Sequence, residues 1–169
     1  MGKTTKRQTT NRKVVVEEGK AAPAFTLPSS SGDNVSLRQF KGNSNVVLYF
    51  YPKDNTSGCT KEACGFRDNH RKLKNVDTVV LGVSPDSVAS HLGFIEQFEL
   101  PFELLADVDH AIALKYGAYG EKKLYGRKYF GIFRSTFVID KNGKIARIFR
   151  NVKPAEHAEQ VLELVKTLP

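Results

Sequence analysis

The chain has 169 residues, of which 40% are apolar and 26% charged, with a net charge of +8, two cysteines and no tryptophan. That length suits one domain with a substantial core. No apolar run approaches the roughly 20 residues of a membrane-spanning helix, and two cysteines exclude the disulfide framework of a small secreted scaffold.

The chain starts with charges and no following apolar block, so no secretory signal is read and a cytoplasmic setting is expected. The first 13 residues, MGKTTKRQTTNRK, contain Lys3, Lys6, Arg7, Arg12 and Lys13 and no acid. They have little to bury, so residues 1–18 are expected to form a basic, disordered extension ahead of a single domain over 19–169. Phosphate contact by this tail is the competing reading, and neither a nucleic-acid nor a membrane partner is expected.

"FTLPSSSGDNVSL" reads as two short strands around a Ser/Gly/Asp turn. Val46–Tyr51 is a continuous apolar run with β-branched and aromatic members, expected as a strand buried on both faces. Pro52, which lacks a backbone donor, ends it. A helix is expected from Cys59 or Thr60 to about Lys74. "DTVVLGVS" is the next buried strand. In the following helix Val88, Leu92, Ile95 and Phe98 recur at helical spacing, with Pro85 and Asp86 suited to its first turn. "FELLAD" reads as a strand and "VDHAIALKYGA" as a short helix closed by Gly117. Residues 119–133 read as a long loop or hairpin. "STFVID" and "KIARIFR" flank Asn142-Gly143, a strong hairpin signal. A final helix presents Val161, Leu162, Val165 and Leu168.

Alternating buried strands and helices predict an α/β fold, a central mixed β-sheet flanked by helices, with an N-terminal β-hairpin. In such sheets sites lie beyond the carboxyl ends of strands, where the loop bearing Cys59 falls.

Both cysteines stand in "NTSGCTKEACGF", five residues apart. Structural zinc usually needs four ligands and closer cysteine spacing, and His70 is the only histidine near in sequence, so no metal is expected. Two cysteines five apart on one helix differ by about 7.5 Å along the axis and about 140° around it. Disulfide α-carbons rarely lie more than about 7 Å apart, so bridging requires the helix to unwind locally. A cysteine at a helix start meets the positive end of the macrodipole and free N–H groups, which favour the nucleophilic thiolate. Gly58 leaves room for a small substrate, and Thr56 offers a hydroxyl. Cys64, beside Ala63 and Phe66, is placed on an inner face. The chain has no GxxxxGK[ST] phosphate loop, and no cofactor is expected.

"YPKDNTSGCTKEACGFRD", with "FRSTFVIDKNGKI" and the element order from about Gly19 onward, resembles the peroxiredoxins of the bacterioferritin-comigratory-protein or peroxiredoxin Q group. The resemblance covers about 150 residues and implies a thioredoxin-like fold. It also implies reduction of hydrogen peroxide and organic hydroperoxides, with recycling by thioredoxin or a similar dithiol reductant and a monomeric state. It places Cys59 at the peroxidatic position and Cys64 at the resolving one. Thr56 falls where a hydroxyl contacts thiolate and peroxide, Pro52 where the pocket is shielded, and Arg134 where a guanidinium supports sulfur and peroxide. Glu62 belongs to the same signature. Ser57 departs from the family's usual proline, which frees φ and restores an N–H. The alternative is a thioredoxin-like protein thiol–disulfide oxidoreductase, against which stands the absence of C-x-x-C.

Overall fold

The computed structural model describes residues 16–169. Of the expected basic extension, residues 1–15 lie outside the described part. Val16 already packs against the core, and the Ile148 N–H donates to the Glu18 carboxylate.

Strands β1 (Thr26–Pro28) and β2 (Asn34–Ser36) form the N-terminal hairpin, followed by a 3-10 turn over Leu37–Phe40 that the sequence reading did not resolve. β3 (Asn45–Phe50), α1 (Ser57–Asn75) and β4 (Thr78–Ser84) make a βαβ unit with parallel strands. α2 (Val88–Phe98), β5 (Glu103–Ala106) and α3 (Ala111–Lys115) follow. Residues 119–133 form a hairpin, β6 (Tyr119–Leu124) and β7 (Arg127–Ile132). β8 (Ser135–Ile139), β9 (Ile145–Phe149) and α4 (His157–Val165) close the chain. The main sheet runs β5-β4-β3-β8-β9, with β8 and β9 antiparallel to their neighbours.

β3 lies at the centre, and its alternation serves two cores. Val46, Leu48 and Phe50 pack with Phe25, Leu37, Tyr116 and Phe137 on one face. Val47, Tyr49 and Tyr51 pack with Phe66, Leu73, Phe94 and Val161 on the other, beneath α1, α2 and α4. A β-carbon on Gly82 would fall 2.7 Å from Leu104 Cδ2 and 2.9 Å from the Tyr49 ring, so glycine is what lets Tyr49 lie across β4.

α2 departs from the expected stripe. His91 and Phe94 are its fully buried residues, while Leu92 is exposed. The helix is turned so that His91 reaches two polar partners in the interior, which an apolar count does not register. Pro85 and Asp86 precede the helix, whose N-cap is Ser87, accepting from the Ser90 N–H.

At the start of α4, His157 is buried between the edges of Phe66 and Phe149, with Nε2 2.8 Å from Thr136 Oγ1. Burial takes its imidazole down to about 4. A depressed value means the neutral ring is favoured in the fold. The stabilisation is complete above the ordinary value of 6.5 and is lost as pH falls through about 4. Acid should therefore cost the native protein up to about 3 kcal/mol through this one group. Unfolding midpoints measured from pH 7 to 4 should show a steep fall that His157→Gln flattens. An identical slope in the variant would remove His157 from the account.

Candidate active site

The loop after β3 and the first turns of α1 hold most of the expected residues. Tyr51 N–H still donates to Val83 O, and Pro52 then ends the strand pairing, half-buried at the strand's carboxyl end. α1 starts at Ser57, two residues earlier than the sequence suggested, because extended Thr56 serves as N-cap (φ −81°, ψ 153°). The first helical hydrogen bond runs from Thr60 N–H to Thr56 O, 2.8 Å. The N–H groups of Ser57, Gly58 and Cys59 precede it and form the donor-rich end of the helix.

Cys59 thus occupies the third position of α1 and is 1% exposed. Arg134, from the link between β7 and β8, donates through Nη2 to Cys59 Sγ at 3.1 Å and through Nη1 to Glu62 Oε1 at 2.9 Å. One guanidinium therefore spans the sulfur and a carboxylate one helical turn further on. Gly58 eases the approach. A β-carbon there would stand 3.3 Å from Arg134 Nη2 and 3.5 Å from Pro154 Cγ, so the space expected for substrate is partly taken by arginine.

Glu62 is the site residue whose part the sequence left open. Its side chain is buried, and Oε2 has no hydrogen-bond partner among the described residues. Burial pushes its carboxyl up to about 7, against the pull of Arg134. Near neutrality it is therefore poised between charged and neutral, so Arg134 faces a full carboxylate only as pH rises through that value.

Thr56, just ahead of Cys59 on the chain, is exposed, and its hydroxyl donates to Lys53 O at 2.8 Å. The hydroxyl proton is thus committed to the loop, and the lone pairs of Oγ1 remain for an incoming donor. Cys64 sits in α1 but off the inner face defined by Cys59, Glu62, Ala63 and Phe66. It is half-buried in a groove between α1 and α4, beside Lys61, Pro154 and Glu159. Both thiols are free. An intact helix holds their α-carbons roughly 8–9 Å apart, beyond disulfide reach.

A second polar cluster, absent from the sequence reading, anchors the loop. The Asp54 carboxylate accepts from Tyr51 Oη at 2.6 Å and Ser90 Oγ at 2.8 Å, with His91 Nδ1 also at 2.8 Å. His91 Nε2 meets Leu105 O at 2.9 Å, and Asp54 N–H donates to Asp86 Oδ2. Burial alone would raise the Asp54 carboxyl, but bonds from His91 and Tyr51 outweigh it and bring it below its ordinary value. The loop carrying Pro52 and Thr56 is thereby tied to α2 and β5. Asn55, with φ at 61°, is the first residue beyond that anchor.

Residues 18–148 match the AhpC/TSA family. The chain is 48% identical over 147 residues to a putative peroxiredoxin bcp of Coxiella burnetii, covering 87% of this chain and 97% of that protein. It is 44% identical to peroxiredoxin Bcp of Bacillus subtilis, covering 92% and 98%. Among solved structures, Xanthomonas campestris peroxiredoxin Q superposes with a TM-score of 0.80 at 38% identity, covering 84% of this chain and 89% of that one. A cysteine-to-serine mutant of Xylella fastidiosa PrxQ gives 0.84 at 34% identity, covering 90% and 96%.

Proposed function

This chain belongs to the AhpC/TSA family and is a peroxiredoxin, a thioredoxin-fold thiol peroxidase that reduces peroxides with electrons from a thiol reductant, and from that premise we propose how its residues divide the work. The Cys59 sulfur is the nucleophile. It attacks the terminal oxygen of hydrogen peroxide or an organic hydroperoxide, the O–O bond breaks, and the leaving oxygen takes a proton to depart as water or alcohol. Cys59 is left as sulfenic acid.

Charge moves from sulfur to the leaving oxygen during that step. Arg134 Nη2 and the N–H groups of Ser57, Gly58 and Cys59 are donors already in place for it, which is where electrostatic catalysis gains most. Thr56 Oγ1 accepts the peroxide O–H, since its own proton is held by Lys53 O. Pro52, which has no N–H to offer, flanks Cys59 from the end of β3 with an apolar ring. Glu62 holds the second arm of Arg134 and fixes the guanidinium plane.

Resolution follows when the first turns of α1 unwind. The Cys64 thiol condenses with the sulfenic acid, releasing water and forming an intrachain disulfide, which a thioredoxin-like dithiol opens by exchange. A reducing compartment such as the cytoplasm suits that chemistry, and the monomer is sufficient for it. The observation that carries this reading is the Arg134 bond to a buried sulfur at a helix start. Its test is the Cys64→Ser protein. It should complete one fast turnover and then hold a long-lived sulfenic acid at Cys59, trapped by dimedone. Steady-state recycling by thioredoxin at the original rate would remove Cys64 from the resolving role.

A further inference from the structure

The whole net charge of +8 resides in two segments. Residues 1–13 have five cations and no acid, residues 119–133 have four cations and one acid, and the rest of the chain has 17 of each sign. The second segment is the β6–β7 hairpin, a two-stranded ribbon outside the main sheet. Its outer half is solvent-facing, with Tyr125 97% and Phe130 68% exposed.

Two features of this ribbon work against its own folding. Tyr125 and Gly126 form the turn with φ of 51° and 76°. Glycine accepts that conformation readily, but a bulky side chain rarely does, and Asn-Gly or Asp-Gly is the usual pair. The register also sets Lys123 directly opposite Lys128, and like charges across a strand pair repel. Lys128 has Glu121 at 3.6 Å, while Lys123 and Arg127 have no acidic partner among the described residues. The fold gains nothing from a strained, exposed tyrosine flanked by Lys123 and Arg127 without acidic partners, but a polyanion with flat rings would use both.

We propose that the β6–β7 hairpin is a nucleic-acid-binding ribbon, with Lys123, Arg127 and Lys128 on phosphates and Tyr125 and Phe130 stacking on bases, while Lys122 stays on Ile132 O and braces the ribbon. The distribution of residues over its faces separates this from a lipid surface. Glu121–Phe130 and Lys123–Lys128 share one face, and Lys122–Tyr129 and Leu124–Arg127 share the other. Each face therefore carries both rings and cations. A ribbon lying on a membrane needs one apolar and one charged face. A single strand running over the ribbon meets cations and rings on both faces, and its unpaired bases are free to stack on those rings, so it should bind more tightly than duplex. Stacking on aromatic rings tolerates every base, so sequence-independent binding is expected. The tail, whose only apolar side chain is Met1, reads alone as a solvated extension. With a second basic segment in the same chain, its five cations add to the phosphate-binding charge.

The test uses the full chain with a fluorescent 20-base-pair duplex and its single strand across a salt series. Binding should weaken with salt at a log–log slope steeper than about −4. Lys123→Gln/Arg127→Gln/Lys128→Gln should make that slope shallower by about 2 to 3. Tyr125→Asn creates an Asn-Gly turn, so the ribbon should fold at least as well. Affinity should nonetheless fall about tenfold with the slope unchanged. Hydrogen peroxide turnover should be the same in all three proteins. Wild-type affinity in both variants, or capture by phosphatidylserine vesicles with neither oligonucleotide bound, would overturn the proposal.

Discussion

A Cys59→Ser chain should consume hydrogen peroxide no faster than background, a loss on the order of 10³-fold or more, as expected when a reaction's only nucleophile is removed. The serine hydroxyl is a far weaker nucleophile than a thiolate, and no second group stands ready to replace it. Cys64 lies roughly 8–9 Å along and around the same helix, in a groove on the side facing α4. It lacks the Arg134 contact and the free N–H groups of the helix start. The exchange removes one sulfur from a close-packed position and adds no bulk, so the fold should survive. Circular dichroism and a thioredoxin-coupled assay on the same preparation separate the two effects. Turnover in the Cys59→Ser protein would move the chemistry elsewhere in the chain.

Arg134→Met should fail in two distinguishable ways. Loss of a preplaced donor to the reacting sulfur should lower kcat/KM by about 10² to 10³. Loss of the Glu62 partner should also destabilise the protein by about 3–5 kcal/mol, since it strands a buried carboxylate. The sign with pH follows from the Glu62 value of about 7, raised from its ordinary 4.5. A raised carboxyl favours the protonated fold, so its stability contribution is complete below 4.5 and lost as pH rises through 7. The penalty in Arg134→Met should accordingly be largest above pH 7. Adding Glu62→Gln should restore most of the stability and none of the rate. If the double variant regained activity as well, Arg134 would be only a structural partner of Glu62, and the contact with Cys59 would carry no catalytic weight.

Much of the sheet was legible because its strands are apolar runs bounded by turn chemistry. Val46–Tyr51 and "DTVVLGVS" could hardly be anything else, and Asn142-Gly143 marks the β8–β9 turn. The start of α1 was misplaced because Thr56 spends its hydroxyl on Lys53 O, leaving no capping bond to read from spacing. α2 was rotated in expectation because the periodicity of Val88, Leu92, Ile95 and Phe98 counts only apolar residues. The face is set instead by His91 reaching Asp54 and Leu105 O, partners 37 and 14 residues away. Long-range polar pairing of that kind leaves no local trace. Cys64 was placed on the inner face by its neighbours Ala63 and Phe66, yet at 100° per residue a neighbour's burial says little about one's own. Glu62 shows the same limit, since an acid in a polar stretch reads as surface until a guanidinium arrives from 72 residues downstream. The β6–β7 hairpin was ambiguous because its turn is Tyr-Gly rather than a recognised turn pair.

Resolution of the Cys59 sulfenic acid by Cys64 of the same chain, once the start of α1 opens, is the step on which the proposed function depends. Lys61 lies between the two cysteines, so trypsin separates them into peptides 54–61 and 62–67 unless sulfur joins them. After one equivalent of hydrogen peroxide, non-reducing mass spectrometry should find those two peptides linked. Amide exchange over residues 60–64 should rise in the same sample. An unlinked pair with sulfenic acid persisting at Cys59, or a linked pair with α1 still fully protected, would contradict the account.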